Sequence, residues 1–481
     1  MKNLFAVKNL FTDTIVAPAT TPGTGAISIV RISGPETFRV VDAVVRLATG
    51  TVSEAAAYTI HYGSVFASDG ALLDEVLVFV FRSPHSYTGE DSVEISTHAS
   101  AYIVEELVRL LLAAGARYAE PGEFTRRSFL NGKMDLTQAE AVADVIASNT
   151  SASHRVAMNQ LKGNFSKELT TLRASLLEMA SLLELELDFS EEDVEFANRE
   201  QLQALVSETL AQVQRLASTF RQGNMIKNGV PVAIVGPANA GKSTLLNALL
   251  GEDRAIVSDI PGTTRDTIEE TLQISGILFR FIDTAGLRDT TDTVEKIGVE
   301  RSYRKLSEAE IVLAVLDVSA DGNDLLNNVK AIAEHLDGDR QQCFVLLNKC
   351  DSVSESVYNK NVTIINNLVS YADFQCGVIL ISAKNQTGLE ELKQQLIDAE
   401  KSLIPNADST FVTNIRHYEA LTQAASALQD VRTSLSNHTP TDLVAEDLRR
   451  ALAAINSLLG TDLLDPETIL HQIFRNHCIG K

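Results

Sequence analysis

The period of the apolar positions changes along this chain. Residues 1 to about 132 carry short alternating runs between Gly, Pro and Thr turns; 26–32 (AISIVRI) and 75–81 (EVLVFVF) read as strands and 107–114 as a helix. From about 133 the period becomes 3.6. Leu169, Leu172, Leu176, Met179, Leu183 and Leu187 share one helix face, and another helix runs from about 200 to 220. Such stripes predict packing between helices. Helical periodicity returns after about 405, over 418–435, 443–459 and 467–475. Between the helical stretches, the apolar runs 232–235, 278–282, 311–318, 343–347 and 378–381 alternate with helical segments, which predicts a parallel sheet with crossover helices. The simplest arrangement is an α+β domain at 1–132 and a helical domain at 133–228 and 396–481. An α/β domain at 229–395 is inserted in the helical one. There is no repeat of 20–50 residues.

Composition narrows the class. The 481 residues suit two to four domains, and 45% hydrophobic with 22% charged residues is ordinary for a globular protein. A net charge of −22 argues against non-specific nucleic-acid binding over the whole surface and against attraction to anionic lipid. Cys343, Cys350, Cys376 and Cys478 form no CxxC pair, which argues against a disulfide framework or zinc ribbon and fits a reducing cytosol. The best apolar run, 107–114, is short and contains Arg109, so no membrane helix is expected. The first eleven residues mix Lys2, Asn3, Lys8 and Asn9 into their apolar residues and do not read as a signal peptide. The expected location is the cytoplasm.

Residues 236–243 read GPANAGKS, a GxxxxGKS loop directly after a strand. Glycines let backbone N–H groups close around phosphate oxygens, Lys242 can reach the β/γ phosphates, the Ser243 hydroxyl can bind Mg²⁺, and the following helix turns its positive end to the anion. DTAG at 283–286 follows a second strand, its Asp283 placed for a Mg²⁺ water ligand and its Gly286 N–H for a γ-phosphate. GTTRD at 262–266 supplies Thr264 as a second Mg²⁺ hydroxyl. In NKCD at 348–351, Asp351 can accept both guanine N1–H and the 2-amino group. SAK at 382–384 can offer a backbone N–H to guanine O6. These four further motifs, each tied to a strand end, define with the phosphate loop a GTP-binding domain. The candidate contacts are Asn239, Ala240, Gly241, Lys242, Ser243 and Thr244; Ser258, Asp259, Ile260, Pro261, Gly262, Thr263 and Thr264; Asp283, Thr284, Ala285 and Gly286; Asn348, Lys349 and Asp351; and Ser382, Ala383 and Lys384. Ras-like enzymes place a water-orienting Gln after DxxG, but Leu287 stands here. A monovalent cation held by the Asn239 amide oxygen can supply the positive charge that an arginine finger supplies elsewhere. Asp289, Asp292, Glu295 and Glu300 are either water-positioning carboxylates or solvated charges.

The GTPase motifs, together with IVAPATTPGTGAISIVRISG at 15–34, PGEFTRRSFLNGKMDLTQAEAVADVI at 121–146, VEKIGVERS at 294–302 and the terminal CIGK, resemble the MnmE (TrmE) family of tRNA modification GTPases, within the TrmE–Era–EngA–YihA–septin class. The match runs from about Asp13 to Lys481. The resemblance implies an N-terminal folate-binding and dimerisation domain, a helical domain and an inserted P-loop GTPase domain. It implies a homodimer that works with the FAD- and NADH-using partner MnmG. Together they add a carboxymethylaminomethyl group to carbon 5 of the wobble uridine of certain tRNAs. The carbon comes from a tetrahydrofolate (5-formyl or 5,10-methylene form), and K⁺-dependent pairing of the GTPase domains activates hydrolysis. Position by position it implies Asn239, Ser258, Ile260 and Thr263 for potassium, Ser243 and Thr264 for magnesium, Glu295 as the catalytic residue, and Arg31, Glu94, Lys133 and Lys481 for folate. Arg288 matches an Arg of unsettled role. Cys478 matches the family's terminal cysteine, and either packing or modification chemistry suits it. Two departures stand out: Pro237-Ala238 where the family often has Arg-Pro, and His477 where it often has Phe. A ribosome-assembly GTPase is the alternative. The Der type needs a second GxxxxGKS and the Era type a KH module with a GxxG loop, and neither is present. A folate enzyme with an attached regulatory GTPase is a third reading.

Overall fold

The computed structural model describes residues 12–23, 25–188, 199–253, 270–282, 306–371, 376–404, 410–437, 439–461 and Gly480. They divide into two compact units. One takes the chain up to Ile146, Ala157–Val213 and the chain from Ala420; the other takes Ala147–Val156 and Gln214–Glu419.

The first unit opens with β1 (Ile15–Pro18), β2 (Ile27–Ser33), α1 (Thr37–Asp42), β3 (Val45–Leu47), β4 (Thr59–Phe66), β5 (Leu72–Phe81), β6 (Ser92–His98), α2 (Ala101–Ala113), β7 (Arg117–Tyr118) and α3 (Glu123–Leu130). The strands form one sheet in the order β3-β4-β5-β6-β2-β1-β7, antiparallel except for β1 beside β7. The alternation in β5 explains its placement. Val76, Val78 and Val80 face inward with Val30, Ile32, Val93 and Ile95, and α2 closes this core with Leu107 and Leu111. α4 (Leu136–Ala147), α5 (Ser151–Leu161), α6 (Asn164–Asp188) and α7 (Arg199–Ser218) follow. Leu169, Leu172, Leu176, Met179 and Leu183 on α6 are all at most 2% exposed, as their spacing predicts. The side chain of Leu187 lies outside the described residues.

The second unit contains α8 (Phe220–Asn228), β8 (Val230–Val235), α9 (Lys242–Asp253), β9 (Glu270–Ile274), β10 (Ile277–Ile282), β11 (Ile311–Asp317), α10 (Gly322–Ala333), β12 (Gln342–Asn348), α11 (Glu355–Tyr371), β13 (Cys376–Leu380) and α12 (Leu389–Leu403). Its sheet runs β13-β12-β11-β8-β10-β9. Five strands are parallel, as the apolar runs predict, and apolar clusters cover both faces. The sixth, β9, is an antiparallel edge strand that the apolar pattern does not mark. Its sequence ETLQI is half polar, as an edge allows. It joins β10 through Ser275 (φ 49°) and Gly276 (φ 83°), a two-residue turn of the twist hairpins favour. The helix expected at 200–220 ends at Ser218, and a separate helix begins at Phe220. Between them, Thr219 donates its hydroxyl to Leu216 O at 2.7 Å and accepts from the Val412 N–H at 3.0 Å.

The chain closes with α13 (Ile415–Ser436) and α14 (Thr441–Leu459). α14 packs along α6, where Arg173 Nε donates to Asn456 Oδ1 at 2.7 Å. The helix expected at 467–475 lies outside the described residues. Among the described residues no helix is long and apolar enough to cross a membrane.

Candidate functional site

β8 delivers the chain into the phosphate loop and α9 carries it away, the strand–loop–helix context the GxxxxGKS motif requires. Gly236 adopts φ 143°, and a Cβ there would lie 2.1 Å from Val315 O on the neighbouring strand. Gly241 adopts φ 100°, and a Cβ there would lie 2.1 Å from Asn348 Nδ2. Both glycines are fixed by close approach. Asn239 takes the left-handed conformation (φ 61°), which turns successive N–H groups toward one concavity. Lys242 Nζ folds back over the loop and donates to Gly236 O at 2.9 Å and Pro237 O at 2.8 Å. Burial pushes its pKa down. A cradle of backbone donors that excludes side chains, at a helix N-terminus and capped by a lysine, suits a polyphosphate.

Three separate loops converge on this cradle through one buried side chain. Asn348, 2% exposed, donates Nδ2 to Ala240 O at 2.8 Å and accepts from the Ala383 N–H through Oδ1 at 3.0 Å. Ser382 Oγ donates to Asp351 Oδ1 at 2.6 Å and accepts from the Asn385 N–H at 3.2 Å. This fixes one carboxylate oxygen and leaves Oδ2 without this contact. Lys349, also left-handed (φ 65°), pairs its Nζ with Asp317 Oδ2 at 2.7 Å. Burial pushes the Asp317 carboxyl up, but Lys349 and the Ser319 hydroxyl and N–H outweigh it and hold it below the usual range. Asp317 is absent from the motif list. Its signal was present, since a carboxylate ending a buried strand run shares the edge where the other motifs sit. Ser258, Asp259, Ile260, Pro261, Gly262, Thr263, Thr264, Asp283, Thr284, Ala285, Gly286 and Glu295 lie outside the described residues, as do Leu287, Arg288, Cys478 and Lys481.

Of the residues matched to the folate site, Arg31 and Glu94 meet on the outer face of the first sheet. The register aligns Arg31 with Glu94, Glu94 with Phe79, and Phe79 with Ile60. Arg31 grips Glu94 Oε1 through Nε at 2.9 Å and Nη2 at 2.8 Å. Its Nη1 donates to Gly480 O at 3.1 Å, and its guanidinium lies 5.3 Å from the Tyr87 ring centre and 5.6 Å from that of Phe124. Gly480 (φ 97°) is buried, and a Cβ there would lie 2.1 Å from Pro18 O, so the tail carbonyl meets Arg31 only with glycine at this position. Lys133 Nζ donates to Pro84 O at 2.9 Å, at the loop that carries Tyr87. Tyr87, Phe124 and Gly480 are additions that sequence reasoning missed.

Behind this face lies a buried ionic lattice built from the PGEFTRR stretch. Arg127, fully buried, bonds Asp13 O (2.9 Å) and Oδ1 (2.7 Å), Glu123 Oε1 (3.0 Å) and Glu90 (3.3 Å). Arg117 adds Asp13 Oδ2 and Glu123 Oε1, each at 2.6 Å. Burial raises the Glu123 and Asp13 carboxyls, but the arginines outweigh it and both pKa values fall below their ordinary positions. A depressed carboxylate stabilises the fold above its unfolded pKa, and that contribution fades as pH falls through the folded value. Arg127→Ala is therefore expected to cost about 1.5–3 kcal/mol at pH 7, by removing charge-assisted bonds to Glu123, Glu90 and Asp13 that Arg117 replaces only in part. The gap to the parent chain should shrink once pH falls below about 4. Urea midpoints by circular dichroism between pH 7 and pH 3 check this; a gap that widens on acidification rejects it.

The family profile of the MnmE helical domain matches residues 136–478, and that of the GTP-binding protein TrmE N-terminus matches residues 14–133. The tRNA modification GTPase MnmE of Bacteroides thetaiotaomicron is 47% identical over 473 residues, covering 98% of this chain and 99% of that protein. The MnmE of Cytophaga hutchinsonii is 46% identical over 471 residues, covering 98% of each. Among solved structures, Era of Aquifex aeolicus is 25% identical, covering 41% of this chain and 66% of that one, with a TM-score of 0.28.

Proposed function

Because this chain belongs to the MnmE family of tRNA modification GTPases, we propose that it is a potassium-dependent GTP hydrolase acting with the partner MnmG. Together they install the carboxymethylaminomethyl group at carbon 5 of the wobble uridine of certain tRNAs. The observation that carries the nucleotide half is the convergence on Asn348: the phosphate loop at Ala240 and the SAK loop at Ala383 are held by one side chain. In this reading Lys242 and the loop amides hold the phosphates, Ser243 and Thr264 hold magnesium, and the carboxylate of Asp351 reads guanine. Asn239, Ser258, Ile260 and Thr263 hold potassium, which supplies positive charge beside the phosphates. Glu295 positions the attacking water.

In the same reading the outer face of the first sheet takes a tetrahydrofolate. The Glu94 carboxylate suits the amino and N–H edge of a pterin, Lys133 and Lys481 suit a glutamate tail, and Tyr87 and Phe124 offer ring faces. Arg31 then holds the tail at Gly480 in place, and Cys478, two residues earlier in the sequence, is a candidate for the modification chemistry. Homodimerisation is supported by the far end of that face, where Ile60 (60% exposed), Tyr62 (51%) and Leu77 (44%) form an apolar patch. GTP turnover in KCl against NaCl at equal ionic strength tests the proposal. Turnover about tenfold or more faster in KCl is expected, since the cation supplies the positive charge that an arginine finger supplies in other GTPases; equal rates reject potassium dependence.

A further inference from the structure

The GTPase sheet is fastened at the end away from the nucleotide motifs. Glu310 sits just ahead of β11 with its side chain 3% exposed. Arg221 on α8 grips it with two donors, Nε to Oε1 at 2.9 Å and Nη2 to Oε2. Arg340, just ahead of β12, donates to the same Oε1 at 3.2 Å, and Arg221 Nη2 also reaches Arg340 O at 2.9 Å. The Glu310 N–H donates to Pro231 O in β8, and its carbonyl accepts from the Gln342 N–H in β12. One residue therefore joins α8 to the amino ends of three parallel strands, through its carboxylate to the two arginines and through its backbone to β8 and β12.

The other side of α8 is fastened to the chain segment that leaves the domain. A Cβ on Gly223 would lie 2.2 Å from Val412 O, Thr219 accepts the Val412 N–H, and Phe220 stacks on Tyr418 with ring centres 4.7 Å apart. Between α8 and β8 stands Gly229 at φ 90°, a joint in a conformation that favours glycine. β11 and β12 are buried along almost their whole length and paired over seven residues. Their carboxyl ends carry Asp317 and Asn348, the groups that hold the nucleotide loops together. A displacement at those loops has no soft element to absorb it before the amino ends.

We propose that Arg221, Glu310 and Arg340 form a coupling clamp. Glu310 is a positioning residue that locks the Gly229 joint. The clamp makes α8 and 411–418 part of the GTPase body, so that rearrangement during hydrolysis is passed into α7 and α13 instead of being lost at the joint. This rests on the proposed coupling of GTP hydrolysis to tRNA modification. The test uses the full chain with MnmG and tRNA and compares Glu310→Gln, Arg221→Ala and the double variant with the parent. Three quantities are read: GTP turnover, modified uridines per GTP hydrolysed, and amide exchange over 220–228. Expected are turnover within about twofold of the parent, at least a fivefold fall in uridines per GTP, and faster exchange over 220–228. The double variant should lose less than the sum of the two single ones, because both changes act on the shared Arg221–Glu310 pair. Arg221→Lys, which keeps the charge and loses the fork, should fall between and covers the case of a variant that does not fold. An unchanged ratio, a parallel fall in turnover and modification, or additive losses would overturn the clamp. A parent chain that neither hydrolyses GTP nor modifies tRNA rejects the functional reading, and exchange over 220–228 then decides the clamp alone: acceleration supports it and parent-like exchange overturns it.

Discussion

Replacing Asn348 with alanine is expected to weaken GTP binding by roughly a hundredfold. The side chain is buried and makes two hydrogen bonds, one to each of two loops distant in sequence. Removing it leaves Ala240 O and the Ala383 N–H without that partner, at a cost of about 1–3 kcal/mol for each buried group. The cost reaches affinity because the brace preorganises the site. Without it the competent arrangement of the two loops becomes a minor population, and apparent affinity falls by that fraction. About 3 kcal/mol corresponds to the hundredfold stated. Asn348→Asp should do no better, since a carboxylate cannot donate to Ala240 O and is itself costly to bury. Gly241→Ala should act through the same brace, because its Cβ would occupy the position of Asn348 Nδ2. The two changes combined should therefore be less than additive. Titration with a fluorescent GDP analogue measures the effect, and affinity within threefold of the parent rejects it.

What could be read from the sequence divides by the range of the interaction. The phosphate loop is local: strand, glycines, lysine and helix lie within two dozen residues, so its order in sequence is its order in space. The five parallel strands were legible because burial on both faces makes each a continuous apolar run. β9 was not, because an edge strand has one open side and no need of such a run. Nor was the break at Thr219, because the period of 3.6 continues across it and only the Val412 N–H, 193 residues away, marks the junction. The partners of Arg31 show the same limit. Glu94 is 63 residues distant and Gly480 449, and a cross-strand register or a docked tail leaves no local mark. The PGEFTRR stretch could be recognised as a block, but its role as a buried charge lattice depends on Asp13 and Glu90 arriving from elsewhere.

Replacing Glu295 with alanine is expected to slow GTP hydrolysis by about three orders of magnitude or more while leaving GTP affinity within a few-fold. Leu287 stands where Ras-like enzymes carry a water-orienting glutamine. A hydrocarbon can neither accept a proton nor hold a water, so that task falls to another group. In the proposed function, charge on the transferred phosphoryl is met separately by a cation at Asn239, whose left-handed backbone sets it within the phosphate loop. Orientation of the water passes to a carboxylate, and Glu295 is the one the family resemblance selects. A group that acts on the water in the transition state lowers turnover without loosening the bound ground state. Asn239→Ala should give a complementary pattern. Potassium stimulation should disappear while GTP still binds, because the loop amides and Lys242 remain. Single-turnover hydrolysis in KCl and NaCl, alongside equilibrium binding, separates the two roles. Full turnover by Glu295→Ala in KCl would show that another group positions the water, with Arg288, Asp289 and Asp292 the next residues to replace.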